Sequence, residues 1–207
     1  DVVFIDLNPK TSKLYFGKEY NPNDTGDVPK CRSDNGVAPS SQADQPQAQS
    51  CMMCPHNVIG SAVSKFTGAK IKACVDMKKL AFVIPGDASQ LIYLMTIKPG
   101  SFKNWSSYVN WLKTQNMGGQ KPDLPDVVTR LSFEAQGVLK FEPAALVSGI
   151  AGLSQQIETA WARNVTDDIV GKNDQPWSGQ AGQIAQAPQP TQLPPPPSGA
   201  FTPVATQ

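Results

Sequence analysis

Only one histidine, His56, occurs in the 207 residues. A single imidazole supplies no persuasive Ser-His-Asp or Cys-His catalytic unit. Charged side chains make up only 17% of the chain and the net charge is +1, so the bulk charge points to no partner. Neither phosphate-cradling glycine motif, G-x-x-x-x-G-K-[ST] or G-x-G-x-x-G, is present. The longest apolar run, Leu80 to Pro85, is far too short to cross a bilayer, and no membrane partner is expected. The chain begins Asp1-Val2-Val3-Phe4, without the basic region and apolar core of a secretory signal. The expected setting is a reducing cytoplasm, where free thiols favour metal over disulfide. No internal repeat is seen.

Cysteine is also scarce, but its placement is symmetric. Nineteen residues separate Cys31 from Cys51, two separate Cys51 from Cys54, and nineteen separate Cys54 from Cys74. A C-x-x-C pair chelates a soft cation along one edge of a tetrahedron, and the two outer thiolates complete the other. The result is a closed zinc site with Zn–S near 2.3 Å and no open position, structural and not catalytic. Two disulfides and four unrelated thiols are the alternatives. A thioredoxin-like redox pair needs a strand before C-x-x-C, and here a Ser/Gln-rich loop precedes it. A zinc deaminase needs H-x-E upstream of the pair, and none exists. His56, two residues after Cys54, reads as a neighbour of the site before it reads as a ligand.

The pattern along the chain is mainly β, of α+β class. Val2–Leu7 and Leu14–Phe16 read as strands, as do Met77–Ile84, Gln90–Ile97, Asp126–Phe133 and Val138–Phe141. Phe102, Trp105, Val109 and Leu112 form one helical stripe behind a Ser101 cap, ending at Gly118-Gly119. Leu146, Ile150, Leu153, Ile157 and Trp161 form a second, with Pro143 in its first turn. Residues 21–50 are loop-like, and metal at Cys31 and Cys51 would pin most of them. Domain 1–177 is thus expected, with a zinc insert at about 21–75. It is followed by a flexible tail, 178–207, that has no charge and seven prolines, four of them Pro194–Pro197.

Charge is unevenly spread. Residues 65–113 carry eight lysines against Asp76 and Asp87, while the flanking segments are mildly acidic. Lys65, Phe66, Lys70, Lys72, Lys78, Lys79, Tyr93 and Lys98 interleave cations and rings, the arrangement that holds single-stranded nucleic acid. Phe66 and Tyr93 are the candidate stacking rings. Phe82, Trp105, Trp111 and Trp161 are expected in the core. A solvated lysine-rich edge with no ligand is the alternative.

The ordered elements C-x-S-D-x-G-x-x-P (Cys31 to Pro39), C-x-x-C-P-x-N (Cys51 to Asn57), Gly60-Ser61 and G-x-K-x-x-A-C (Gly68 to Cys74) resemble a group of bacteriophage proteins. These are proposed to be single-stranded-DNA-binding proteins with a zinc-bearing insert, and the likeness covers residues 28–147. The helix signature Ser101, Phe102, Lys103, Trp105 and Tyr108 is also similar. The resemblance implies an OB-like barrel, a structural Zn2+, and DNA binding in replication or recombination in the cytoplasm of an infected bacterial host. Some such proteins recruit phage replication enzymes through an acidic C-terminal tip, whereas this tail is neutral. The competing expectation is a zinc-stabilised interaction or virion-associated adaptor that uses the proline-rich tail.

Overall fold

The computed structural model describes residues 1–18, 28–65, 67–116, 119, 121–134, 137–163 and 165–179. Phe66 and the proline-rich tail from residue 180 lie outside the described residues.

The longest strand organises the sheet. β1 (Val3–Leu7) and β2 (Ser12–Tyr15) lie end to end along one edge of the nine-residue β6 (Val75–Val83). Pairing runs antiparallel from Val3↔Val83 to Leu7↔Leu80 and resumes at Ser12↔Met77. Asn8-Pro9 makes the break, because proline has no N–H to give the ladder. The Asn8 backbone still donates to the Lys79 carbonyl at 3.0 Å. Its side-chain Nδ2 donates to the carbonyls of Asp34 (2.9 Å) and Val170 (3.1 Å). β3 (Cys31–Ser33) extends the sheet beyond β2, while β7 (Tyr93–Ile97) covers the other edge of β6. β4 (Ala62–Val63) and β5 (Lys70–Ile71) form a separate small pair.

Strand alternation sends side chains to two cores. Phe4, Leu80 and Ile97 meet α1 (Phe102–Thr114) on one face. On the other, Val3, Ala81 and Val83 meet α2 (Leu153–Ala162) and α3 (Thr166–Val170). Phe4 is fully buried, its ring 5.3 Å from Trp105 in an edge-to-face contact. Trp105, Tyr108 and Leu112 are the buried stripe of α1, so Tyr108 sits deeper than the expected Val109. Ser101 precedes α1 but makes no cap bond. Its hydroxyl accepts from the Leu139 N–H at 2.9 Å instead. The helix stops at Thr114, ahead of the glycines expected to end it.

The hairpin of β8 (Val127–Phe133) and β9 (Leu139–Leu146) lies against α1 and joins the main sheet where Val2 and Thr129 exchange backbone bonds of 2.9 and 2.7 Å. β9 runs straight through Pro143, which was expected to open a helix. The register slips between Val128 and Thr129, and Thr129 turns both its carbonyl and its N–H to Val2, so proline opposite it forfeits no ladder bond. α2 therefore begins later, after Gly152 at φ 76°, and Leu146 and Ile150 fall outside it. Trp161 is 43% exposed and not core; its Nε1 donates to the Ile5 carbonyl at 3.1 Å.

The fold is α+β with antiparallel sheets, but among the described residues no closed barrel forms. β7 pairs with β6 alone, and helices cover the faces that a barrel would curl inward. No helix among the described residues is long and apolar enough to cross a membrane.

Asn8→Ala strips the Val170 carbonyl of its side-chain donor and leaves the Asp34 carbonyl with Ser12 alone. It is expected to cost about 1–3 kcal/mol, seen as a lower urea midpoint with an unchanged slope. A midpoint equal to wild type would mean that Asn8 does not hold these segments together.

Candidate metal centre and basic face

The four cysteines arrive from three separate segments. β3 sets Cys31 opposite Tyr15 on β2. The Cys51 N–H donates to the Val37 carbonyl at 2.8 Å, and a 3-10 turn over Pro55–Asn57 follows Cys54. Asn57 folds back, its Nδ2 donating to the Cys51 carbonyl at 2.7 Å. The Cys74 N–H reaches the His56 carbonyl at 2.8 Å just before β6 begins.

As a result all four thiols line one cavity of about 20 Å³, beside Lys13, Tyr15 and Ser33. Cys51, Cys54 and Cys74 are buried, Cys31 is half-buried, and all four are free thiols. As they stand, no three described Cys, His, Asp or Glu side chains are disposed to hold a metal ion. Burial, and then the neighbouring Cys54, pushes the Cys74 thiol up to about 12. Burial also raises Cys31 and Cys51, offset in part by hydrogen bonds from the Gln47 backbone and the Ser33 side chain. Burial thus favours the protonated form of Cys31, Cys51 and Cys74, and a cation placed among them would favour the thiolate. A space this small admits an ion and excludes an organic substrate.

The wall beside the thiols is ionic. Lys13 Nζ lies 2.5 Å from Asp76 Oδ1 and donates to Asn57 Oδ1 at 3.1 Å; Lys72 Nζ lies 2.7 Å from Asp76 Oδ2. His56 stacks on Tyr15, ring centroids 4.0 Å apart and 14° from parallel, and is not among the residues lining the cavity. Its Nε2 is buried without a hydrogen-bond partner among the described residues, and burial lowers its pKa. Nothing in the sequence pointed to Lys13; Asn57 entered only through the resemblance, and Asp76 only as an acid in the basic stretch. Only the Lys72-x-x-x-Asp76 spacing hinted at a pair.

The candidate nucleic-acid residues separate into groups. Lys72 is held by Asp76, and Lys79 by Asp34 at 2.7 Å in a mostly buried pair. Lys78 lies on the opposite face of β6 from Lys79, 5.7 Å above the Phe102 ring. Lys65, Lys70 and Lys98 are exposed. Tyr93 is half-buried and stacks on Phe82 at 5.4 Å, its hydroxyl donating to Asp87 at 3.0 Å. One face of that ring is thus taken by protein. Phe82 packs against the core as expected, whereas Trp111, also expected there, is 37% exposed.

Comparison of the chain with family models, curated proteins and solved structures finds no match.

Asp76 gives a pH prediction. Burial raises its carboxyl, but Lys13 and Lys72 outweigh this and hold it below the ordinary range. A depressed folded pKa contributes stability above about pH 4 and loses it as pH falls through the folded value. Asp76→Asn is expected to lower the unfolding temperature at pH 7, with the gap from wild type closing toward pH 2–3. A gap independent of pH would show that the ion pairs are not its source.

Proposed function

We propose that this chain binds single-stranded DNA without catalysis, with one structural zinc ion fastening its cysteine-bearing insert. The observation that carries the reading is the lysine excess of residues 65–113, where Lys65, Lys70 and Lys98 are exposed. One of the two acids in that stretch, Asp76, is already neutralised by Lys13 and Lys72. A net cationic surface remains to face phosphates. The resemblance to phage single-strand binders supports the same reading and suggests the cytoplasm of an infected bacterium as its setting. Phage replication proteins are the further partners it suggests.

Cys31, Cys51, Cys54 and Cys74 would hold the ion. Four soft sulfurs around one small cavity, two of them already receiving hydrogen bonds, suit Zn2+. Four thiolates leave no position for substrate, so the ion would supply rigidity to the insert and no chemistry. With the sheet open, strand binding would use an exposed face and not the mouth of a barrel. Lys72 and Lys79 would contribute only by leaving Asp76 and Asp34, whereas Lys65, Lys70 and Lys98 are exposed at the surface where phosphate would approach. A second reading, an interaction adaptor using the proline-rich tail, is favoured by an aromatic groove beside α1.

Fluorescence anisotropy with labelled oligo-dT is expected to show affinity that falls steeply with salt. Each phosphate contact contributes about −0.7 to the log–log slope. Replacing Lys65, Lys70 and Lys98 together with Gln should flatten that slope by about 2, and no binding to the wild type at low salt would overturn the reading. Elemental analysis should find one zinc per chain, lost in Cys51→Ser. A zinc-free wild type purified without chelator would refute the metal assignment.

A further inference from the structure

A groove of about 320 Å³ runs between α1 and β9, lined by Tyr108, Trp111, Phe141 and Pro143, with Ser107 at its rim. Its rings form a ladder. Phe141 and Tyr108 lie 6.1 Å apart and 25° from parallel, Tyr108 and Trp111 6.4 Å apart and 16° from parallel. Trp111 is 37% exposed, and its indole N–H bonds to no described residue. Neither the metal cavity nor the lysine-bearing stretch accounts for this surface.

Its chemistry argues against phosphate. Among the described residues the charged side chains lining it are Glu134 and Lys140, and Lys140 is tied to Glu142 at 2.9 Å. Tyr108 and Phe141 are buried at its floor, so the groove offers the exposed Trp111 ring, exposed Pro143 and donors, with no cationic surplus. A ligand suited to it is apolar, uncharged and rich in carbonyl acceptors. Proline-rich segments in the polyproline II conformation meet this description, and they dock in aromatic-lined grooves.

The chain carries such a segment. From Ser178 to Gln207 no charged side chain occurs, and Pro194–Pro197 is a run of four prolines. The described chain leaves the fold beside the insert, where the Trp177 N–H donates to the Pro39 carbonyl at 2.7 Å. From there to Pro194 the chain extends to about 56 Å at ~3.3 Å per residue. That exceeds the ~40 Å breadth of a domain of this size. We infer that the groove of Tyr108, Trp111 and Phe141 is the docking site of this chain's own Pro194–Pro197 segment, bound in cis. Trp111 Nε1 and the Ser107 hydroxyl donate to its carbonyls. Tethering supplies an effective concentration of about 1 mM, so a segment with a dissociation constant of ~100 μM in trans would fill the groove about nine-tenths of the time.

The test uses the full chain, 15N-labelled, with the Trp111 indole N–H as reporter. Loss of one indole peak in Trp111→Ala assigns it. Changing Pro194, Pro195, Pro196 and Pro197 together to Ser is expected to shift this peak. Added peptide of residues 190–201 should shift it back, and should bind wild type about tenfold more weakly than the proline variant, because the tethered segment competes. An unchanged peak together with equal or absent peptide binding would overturn the proposal. A wild-type peak that moves on tenfold dilution would give the groove to a second copy's tail and overturn the cis assignment. If oligo-dT moves the peak and the peptide does not, the groove belongs to nucleic acid and the proposal fails, whereas DNA binding that leaves the peak in place is independent of it.

Discussion

One carboxylate, that of Asp34, ties together parts of the chain that are otherwise far apart in sequence. Its Oδ1 pairs with Lys79 on the central strand at 2.7 Å, and its carbonyl accepts from Asn8 (2.9 Å) and Ser12 (3.2 Å). Its N–H donates to Asp174 at 3.2 Å, and Asp174 in turn accepts from Ser40 at 2.5 Å. Gly171, at φ 79°, lies so close that a β-carbon there would stand 2.6 Å from Asp34 Oδ2. Removing the charge would leave Lys79 mostly buried without a partner. That is costlier than the pair was ever stabilising. The edge break at Asn8-Pro9, the start of the insert and the C-terminal segment all depend on this point.

Such a knot changes what a metal at the four cysteines would do. The insert is already fastened at its near end through Asp34 and Ser40, and at its far end through Lys13, Lys72 and Asp76. Between these lie Cys51 and Cys54, held by backbone bonds, Asn57 and the Ser33 side chain. The proposed ion would fix this middle portion, including the exposed Met52 and Met53, and not the domain's two cores. The cores are built on opposite faces of β6 from residues the insert does not touch.

Much of this was legible in the sequence, for a definable reason. Apolar runs bounded by turn signals located β1, β6, β7 and β8, and in β1 and β8 three successive residues are buried because both faces are covered. The cysteine spacing anticipated convergence, since a chelating pair and two outliers have few other uses. Pro143 misled because proline suits both a helix's first turn and a strand position that owes no ladder bond, and only the Val2–Thr129 bridge decides between them. The lysines misled for a similar reason. Lys79 looks free in sequence, and its partner Asp34 stands 45 residues away. The barrel failed because local patterns specify strands and helix faces but not whether the sheet's outer edges meet.

Internal ion pairing also refines what the charge pattern means. Subtracting Lys72 and Lys79 from the basic stretch removes the two lysines held by Asp76 and Asp34. Six of the eight are left, among them the exposed Lys65, Lys70 and Lys98. A polyanion meeting these exposed side chains would displace water and counterions, so its binding would be governed by salt more than by folding energy. The groove beside α1 has the opposite character, with neutral rings and donors and a near-balanced pair of charges. Two surfaces so different in chemistry do not compete for one ligand. An uncharged tail seated in the second would leave the first open to phosphate.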